Sequence, residues 1–501
     1  MPDSTHFDVL IVGAGLSGIG AAYHIQSAFP KRTYAILEGR GALGGTWDLF
    51  RYPGVRSDSD MYTLGYRFRP WRDAKAIADG PSILRYIRET AQEYGIDRKI
   101  LYNHRAKLAS WSSADARWTV EVSTADASSR IFTCNFLYMC SGYYNYAEGY
   151  LPGWPGMDRF NGKIVHPQRW PEDLDYKDKR VIVIGSGATS VTLVPAMAAA
   201  AQHVVMLQRS PSYILSLPSE DRIANFLRGK IPARLAYTLV RWKNVLISWY
   251  LFHRSRSRPE QMKQWMMGLA KKALPRDCDV ATHFNPRYKP WDQRLCLIPD
   301  GDLFRAIRSG KASMVTDEID TFTEAGLRLR SGRELAAAII VTATGLKLQL
   351  MGGMPICVDG APVKLSRTLT YKGMMYSDVP NLAASFGYTN ASWTLKADLT
   401  AEYVCRLLKF MDSHCYTTCA PRNHDNSLAE APAVDLTSGY IQRALDELPK
   451  QGSKTPWRLH QNYALDLLEF RFARVDDGTM EFSRATGTAS SHSAMTAAVR
   501  A

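Results

Sequence analysis

The sequence predicts an α/β protein built from two nested Rossmann-like dinucleotide-binding domains, the second carrying a helical insertion. Three observations predict it. Phe7 to Val12 is a β-branched and leucine-rich run ending in Gly13-Ala14-Gly15-Leu16-Ser17-Gly18, and Val181 to Ile184 leads into a second such turn, Gly185-Ser186-Gly187-Ala188-Thr189-Ser190. A later apolar strand, Ala338 to Gly345, reads as returning to the first sheet, so the domains enclose one another instead of following in series.

The first turn is followed by a helical stretch and the strand Tyr34-Ala35-Ile36-Leu37-Glu38. Gly13, Gly15 and Gly18, with Ser17 between them, permit a tight turn, close approach of backbone N–H groups to a pyrophosphate, and close helix–strand packing; Glu38 is placed to accept from a ribose hydroxyl. A lone glycine pattern is weak evidence, but strand, helix and acid together make it specific. In the second unit Gly185, Ser186, Gly187, Ala188, Thr189, Ser190 and Val191 form the turn and helix start, with Ser190 where glycine or alanine is usual. Its second strand, Val204 to Leu207, runs into Gln208-Arg209-Ser210 and has no acid at the ribose position. Arg209 and Ser210 suit a 2′-phosphate, which argues for NADP over NAD.

The expected organisation is 1–145 and 338–483 for the first domain with a C-terminal loop, and 150–213 and 289–337 for the second. Residues 214–288 form the insertion, mostly helical, basic and rich in tryptophan, and 484–501 a Ser-, Thr- and Ala-rich tail expected to be disordered. A further helix is expected from about Ser392 to Met411.

At 501 residues the chain exceeds one ordinary core, and its length suggests about two to four domains. Hydrophobic residues at 46% against 22% charged exclude a disordered or fibrous chain. The N-terminus enters a strand directly, without the pattern of a secretory signal, so a cytoplasmic protein is expected. Val245 to Phe252 is the longest apolar run and falls short of the ~20 residues that span a bilayer; it can lie on a membrane but not cross one. Eight cysteines show neither a C-x-x-C pair nor metal-type spacing, which points to reduced thiols, no metal, and not a disulfide reductase. The net charge of +14 concentrates in Arg222 to Lys272, where cations alternate with Trp242, Trp249 and Trp265. Phosphate-bearing cofactors account for part of it, and no nucleic-acid partner is expected. Solvated helix faces explain the remainder first, and a peripheral patch at the inner face of a membrane second.

Between the two units, Phe160, Gly162, His166, Trp170 and Pro171 fit the pattern F-x-G-x-x-x-H-x-x-x-W-[P/D]. Gly44-Gly45-Thr46-Trp47 through Tyr52-Pro53-Gly54 to Asp58 fits [A/G]-G-x-W-x4-[F/Y]-P-G-x3-D, and Ala343-Thr344-Gly345 fits a third motif. On these motifs the chain resembles the class B flavoprotein monooxygenases of the Baeyer-Villiger type. The wording of Thr46 to Trp71, Tyr288 to Asp302 and Gly387 to Asp398 looks most like the ethionamide-activating FAD-containing subgroup, and the likeness covers roughly residues 5 to 470.

The resemblance implies FAD in the first unit and NADPH in the second. NADPH reduces the flavin, O2 adds at flavin C4a, and the resulting peroxide attacks a ketone to give an ester or lactone; sulfides and thiocarbonyls are also within its reach. Arg294 matches the family's catalytic arginine, whose cation stabilises developing negative charge. Asp58 matches the acid that orients it, with Arg56 and Ser57 beside the nicotinamide. Thr46, Trp47, Asp48 and Leu49 are expected to border the flavin, and Ala106 to meet its adenine through the backbone. Without the resemblance, Arg294 reads equally well as an interdomain salt bridge to Asp292 or Asp302. His166 is assigned a conformational role, and Trp47 and Trp170 are packing groups first. Gln293 stands where many relatives have a lysine that helps hold the 2′-phosphate, leaving that task to Arg209 and Ser210. Trp457 and Asn462 match only a W-x4-N remnant of a loop closing over NADP, and Trp457 reads as core packing.

Two other readings compete. A heteroatom (N/S) flavin monooxygenase without ketone activity is opposed by Trp170-Pro171 and Arg294. A membrane-associated redox or binding protein that no longer oxygenates is suggested by the basic insertion and opposed by the intact motifs.

Overall fold

Nine strands form the larger of two main sheets in the computed structural model, which describes residues 5–484. At its centre Thr5–Val12 pairs in parallel with Tyr34–Leu37 and Ser129–Met139. Val9, Leu10 and Ile11 are fully buried, as befits a parallel strand covered on both faces; each contributes roughly 1.5–3 kcal/mol of burial. The meander Arg105–Ser112, Arg117–Ser123 and Ser129–Met139 extends the sheet on one side. Its pairing sets Trp111 opposite Trp118 inside, with ring centroids 5.6 Å apart and the rings tilted at 58°.

The second sheet has five strands in the order Ala312–Thr316, His203–Gln208, Arg180–Ile184, Ile339–Thr342, Lys163–Val165, all parallel. One expectation is corrected here. Ile339–Thr342 does not return to the first sheet: Ile339 pairs with Val181 and Lys163, in the second sheet. The expected boundary at 338 therefore cuts through that sheet, and the strands that return are Ile356–Val358, paired with Arg105–Ser112, and Leu382–Ala384, registered against Leu137–Met139. All four residues of Ile339–Thr342 are buried, and an evenly buried strand carries no mark of which parallel sheet it completes.

The insertion consists of Arg222–Leu227, Ala233–Ser257, Pro259–Ala273 and Val280–His283. Its long helix is tied to the first domain by Arg241, whose buried guanidinium donates to the carbonyls of Tyr62 (2.7 Å) and Gly65 (2.8 Å). Trp393–Ser413, expected from the sequence, packs between Leu16–Ala28 and the C-terminal helix Tyr463–Phe472. A buried ion pair, Lys396 Nζ to Asp466 Oδ2 at 2.7 Å, joins Trp393–Ser413 to Tyr463–Phe472. Tyr388 donates to the same carboxylate oxygen at 2.7 Å.

All eight cysteines are free thiols. Among the described residues no helix is long and apolar enough to cross a membrane, and no cluster is placed to hold a metal ion. The expected disordered tail lies, from residue 485 on, outside the described residues.

Candidate active site between the nucleotide domains

Each glycine-rich turn sits where a central strand of its sheet, Thr5–Val12 or Arg180–Ile184, gives way to a helix, Leu16–Ala28 or Ala188–Ala198. Gly13 (φ +106°) and Gly185 (φ +137°) occupy backbone conformations that L side chains rarely adopt. A Cβ on either would fall about 2.5 Å or less from a carbonyl oxygen, of Cys140 or Ala343 respectively. By contrast Gly187 faces open space, the room a pyrophosphate needs at a helix N-terminus. Glu38 accepts from the backbone N–H groups of Ala14 (2.8 Å) and Arg40 (3.0 Å). Burial pushes its carboxyl above the ordinary range, and those two bonds pull it partly back. Ser190 is fully buried against Gly185, its hydroxyl without a partner. Arg209 and Ser210 stand exposed just beyond His203–Gln208.

Two cavities open between the domains. The first, about 270 Å³, is lined by Gly15, Ser17, Gly45, Thr46, Trp47 and Arg56 with Tyr143, Tyr146, Thr189 and Trp393. The second, about 430 Å³, is mostly apolar and is lined by Leu215, Leu217, Ile223, Ile247, Leu251 and Trp291 among others. Asp58, Ser59, Arg294 and Leu297 border both.

Arg294 Nη2 lies 3.3 Å from Asp58 Oδ2. The carboxylate beside it holds the guanidinium even further above its ordinary value, with Tyr143, Tyr440 and Tyr144 adding to the effect. The interdomain pairs first open to Arg294 are taken up by others: Asp292 pairs with Arg256 at 2.8 Å, and Asp302 with Arg56 at 2.5 Å. Arg56 also donates to the Val191 carbonyl at 3.4 Å, which brings the loop between Thr46–Leu49 and Met61–Leu64 against the second helix start.

Thr46, Trp47, Arg56, Ser57, Asp58, Ala188, Thr189 and Arg294 thus converge on the cavities. Asp48 is buried behind them, paired with Arg40 (2.7 Å) and Arg88 (3.2 Å), and Leu49 follows it in the short helix Thr46–Leu49. Ala106 lies on Arg105–Ser112 opposite Val122, away from both cavities.

The aromatic wall escaped the sequence reading. Tyr143 stacks on Trp393 (5.0 Å, 11°), whose indole N–H donates to Ser17 Oγ at 2.7 Å. Tyr143 and Tyr144 lie where the chain crosses from the strand end at Met139 into the next strand, Tyr144–Gly149, on the carboxyl side of the parallel strands where ligands bind; that position was the available signal.

The linker motif also finds its place. His166 Nδ1 accepts from the Gln168 N–H (3.2 Å), so its Nε2–H is free to donate to the Gly345 carbonyl at 3.3 Å. The first and third motifs therefore touch. Burial lowers the His166 pKa and favours the neutral ring. Trp170 packs against the second domain's core, and Trp457 is buried beside Tyr371. Asn462 caps the last helix by accepting from Ala464 and Leu465.

A family model described as flavin-binding monooxygenase-like matches residues 75–255, and one described as an NAD(P)-binding Rossmann-like domain matches 11–76. Over 480 residues the chain is 55% identical to the FAD-containing monooxygenase EthA of Mycobacterium tuberculosis, covering 96% of this chain and 98% of that protein. The chain belongs to the FAD-containing monooxygenases. Another relative is the probable FAD-binding monooxygenase AlmA of Acinetobacter baylyi, 47% identical over 96% of this chain and 97% of that protein. Among solved structures, oxidised steroid monooxygenase bound to NADP superposes with a TM-score of 0.75 at 20% identity, covering 96% of this chain and 100% of that one. Polycyclic ketone monooxygenase from Thermothelomyces thermophila gives 0.73 at 17% identity, covering 97% and 91%. These two establish the shared fold.

This FAD-containing monooxygenase is thus a flavoprotein oxidoreductase with FAD and NADP as its cofactors. Its two turns, the open space at Gly187 and the cavity beside Gly15 and Gly45 fit two dinucleotides.

Proposed function

We propose that the protein inserts one oxygen atom beside a ketone carbonyl, giving an ester or lactone, and also oxygenates sulfides and thiocarbonyls. The observation that carries this reading is the Arg294–Asp58 pair in the wall shared by the cleft beside the first glycine-rich turn and an apolar cavity. A fixed cation at that point stabilises negative charge developing on a carbonyl oxygen far better than water would. A peroxide that only donates oxygen to nitrogen or sulfur needs no such cation.

In this reading Glu38 holds the ribose of FAD, and the turn Gly13, Gly15, Ser17, Gly18 holds its pyrophosphate. Thr46, Trp47, Asp48 and Leu49 border the isoalloxazine side, with Ala106 towards the adenine. Gly185 to Val191 take the pyrophosphate of NADPH, Arg209 and Ser210 its 2′-phosphate, and Arg56 and Ser57 its nicotinamide end. When bound, FAD supplies the two-electron activation of O2 that no side chain can perform. Asp58 orients the Arg294 guanidinium and prevents it from swinging into solvent. Leu215, Leu297 and Trp291 exclude water around the carbonyl, which strengthens the electrostatic effect. The reaction balances as ketone, O2, NADPH and H⁺ to ester, NADP⁺ and water.

The test is mass-spectrometric product analysis with NADPH, O2 and a panel of 2-octanone, phenylacetone, cyclohexanone and a thioether. Ester from a ketone, lost in Arg294→Ala while FAD stays bound, supports the proposal. Sulfoxide alone, with no ester from any ketone, replaces it by heteroatom oxygenation.

A further inference from the structure

The long insertion helix Ala233–Ser257 turns an apolar stripe outward. Leu235, Leu239, Trp242, Leu246 and Trp249 recur at spacings of four and three, so they share one face. They are 36% to 55% exposed, whereas the opposite face, with Ala236, Tyr237, Val240 and Val245, is buried. A soluble helix has the reverse arrangement beyond its core face: charge to water.

Neighbouring elements continue this surface. Phe226 of Arg222–Leu227 is 63% exposed, and on the C-terminal helix Leu465, Leu468 and Phe472 stand out at 48% to 73%. Trp242 joins the two helices through Tyr463, ring centroids 5.6 Å apart. Contiguous exposed apolar area of this kind marks an interaction site.

Charge selects the partner. From Arg222 to Lys272 the chain carries twelve cations (222, 228, 230, 234, 241, 243, 254, 256, 258, 263, 271, 272) against one carboxylate, Glu260. Among the described residues Arg241, Lys243 and Arg256 form ion pairs, whereas Arg222, Arg228, Lys230, Arg234, Arg254, Arg258, Lys271 and Lys272 have no carboxylate partner. A second copy of the chain would bring the same positive face against this one, and like charges disfavour that contact. Anionic headgroups complement the cations, while tryptophan and leucine suit the headgroup–acyl boundary.

The apolar cavity lies beside the same helix, lined by Lys243, Ile247 and Leu251 on the side turned away from the stripe. Ile223 and Ile247 line it and are also 51% and 48% exposed. We propose that the insertion lies on an anionic bilayer surface, its leucine and tryptophan stripe entering the headgroup–acyl boundary and its unpaired cations meeting the headgroups. The docking surface stands whether the substrate is a ketone or a sulfide.

The experiment is sedimentation of the full-length FAD-loaded protein with vesicles of phosphatidylcholine alone and of phosphatidylcholine mixed with phosphatidylglycerol. Wild type should bind the anionic vesicles and release from them as salt rises. Leu239→Glu combined with Leu246→Glu should weaken binding about tenfold or more, while oxygenation of a small water-soluble substrate stays at the wild-type rate. That unchanged rate shows the variant is folded and keeps the outcome apart from any failure of the proposed chemistry. Absence of binding to anionic vesicles overturns the proposal, as does binding that the leucine variant leaves intact. Equal binding to both vesicle types overturns the role of charge, and salt-independent self-association abolished in the variant shows an interface between copies instead.

Discussion

Arg294 and Asp58 meet at 3.3 Å although they come from segments more than two hundred residues apart, and both border the two cavities. Asp58 arrives on the first domain's loop before Met61–Leu64; Arg294 arrives just ahead of Cys296–Pro299. The pair thus joins the first domain's loop to the segment that feeds Cys296–Pro299. Replacing Arg294 by alanine should lower the rate of ester formation by about 10²–10³, with the flavin absorbance of the purified protein unchanged. Asp58→Asn should cost less, about tenfold, and should appear as NADPH consumed without product, measured by comparing NADPH oxidation with ester yield. Equal coupling in wild type and Asp58→Asn would remove Asp58 from its orienting role.

The exposed Arg209 and Ser210 follow a strand that ends without an acid. Arg209→Ala should raise KM for NADPH about tenfold or more and leave KM for NADH nearly unchanged. Steady-state oxidation of the two nucleotides, compared side by side, reads this directly.

His166 links the first motif to the third through Gly345. Its pKa is lowered, so the folded state binds this proton more weakly than the unfolded chain. The stability it contributes is present above the unfolded value of about 6.5, and it is lost as pH falls through the lower folded value. Protonation also places a proton on Nδ1, which now accepts from Gln168. Thermal unfolding followed from pH 8 down to about pH 5 should show a loss in wild type that is reduced in His166→Gln. Parallel curves for the two proteins would show that other groups govern the decline.

The buried Lys396–Asp466 pair holds the C-terminal helix in place. Burial lowers the Lys396 pKa, and Asp466 counteracts that shift. Asp466→Asn should cost on the order of 3 kcal/mol by leaving an uncompensated buried ammonium, and Lys396→Met with Asp466→Leu should recover most of it. Denaturant unfolding of the three proteins checks both statements.

The glycine turns, the strands feeding them and the long helix at Trp393–Ser413 were legible because each is a local pattern. Their apolar runs and backbone requirements are written within ten or twenty consecutive residues. Arg294 and Asp58 were reached through motif resemblance, since nothing near either residue names the other. The same holds for His166, whose conformational role was expected but whose partner, Gly345, was not.

By itself, then, the sequence determined the two dinucleotide units and the long helix at Trp393–Ser413, which depend on neighbours along the chain. Only the tertiary structure decided that Ile339–Thr342 completes the second sheet, and that Tyr143 and Trp393 wall the cleft beside the first glycine-rich turn. It also turned the insertion's leucines and tryptophans outward. Parallel pairing, cavity walls and the choice of which helix face is buried are set by contacts between distant segments. A buried apolar run satisfies any of several such arrangements equally well until the whole chain has packed.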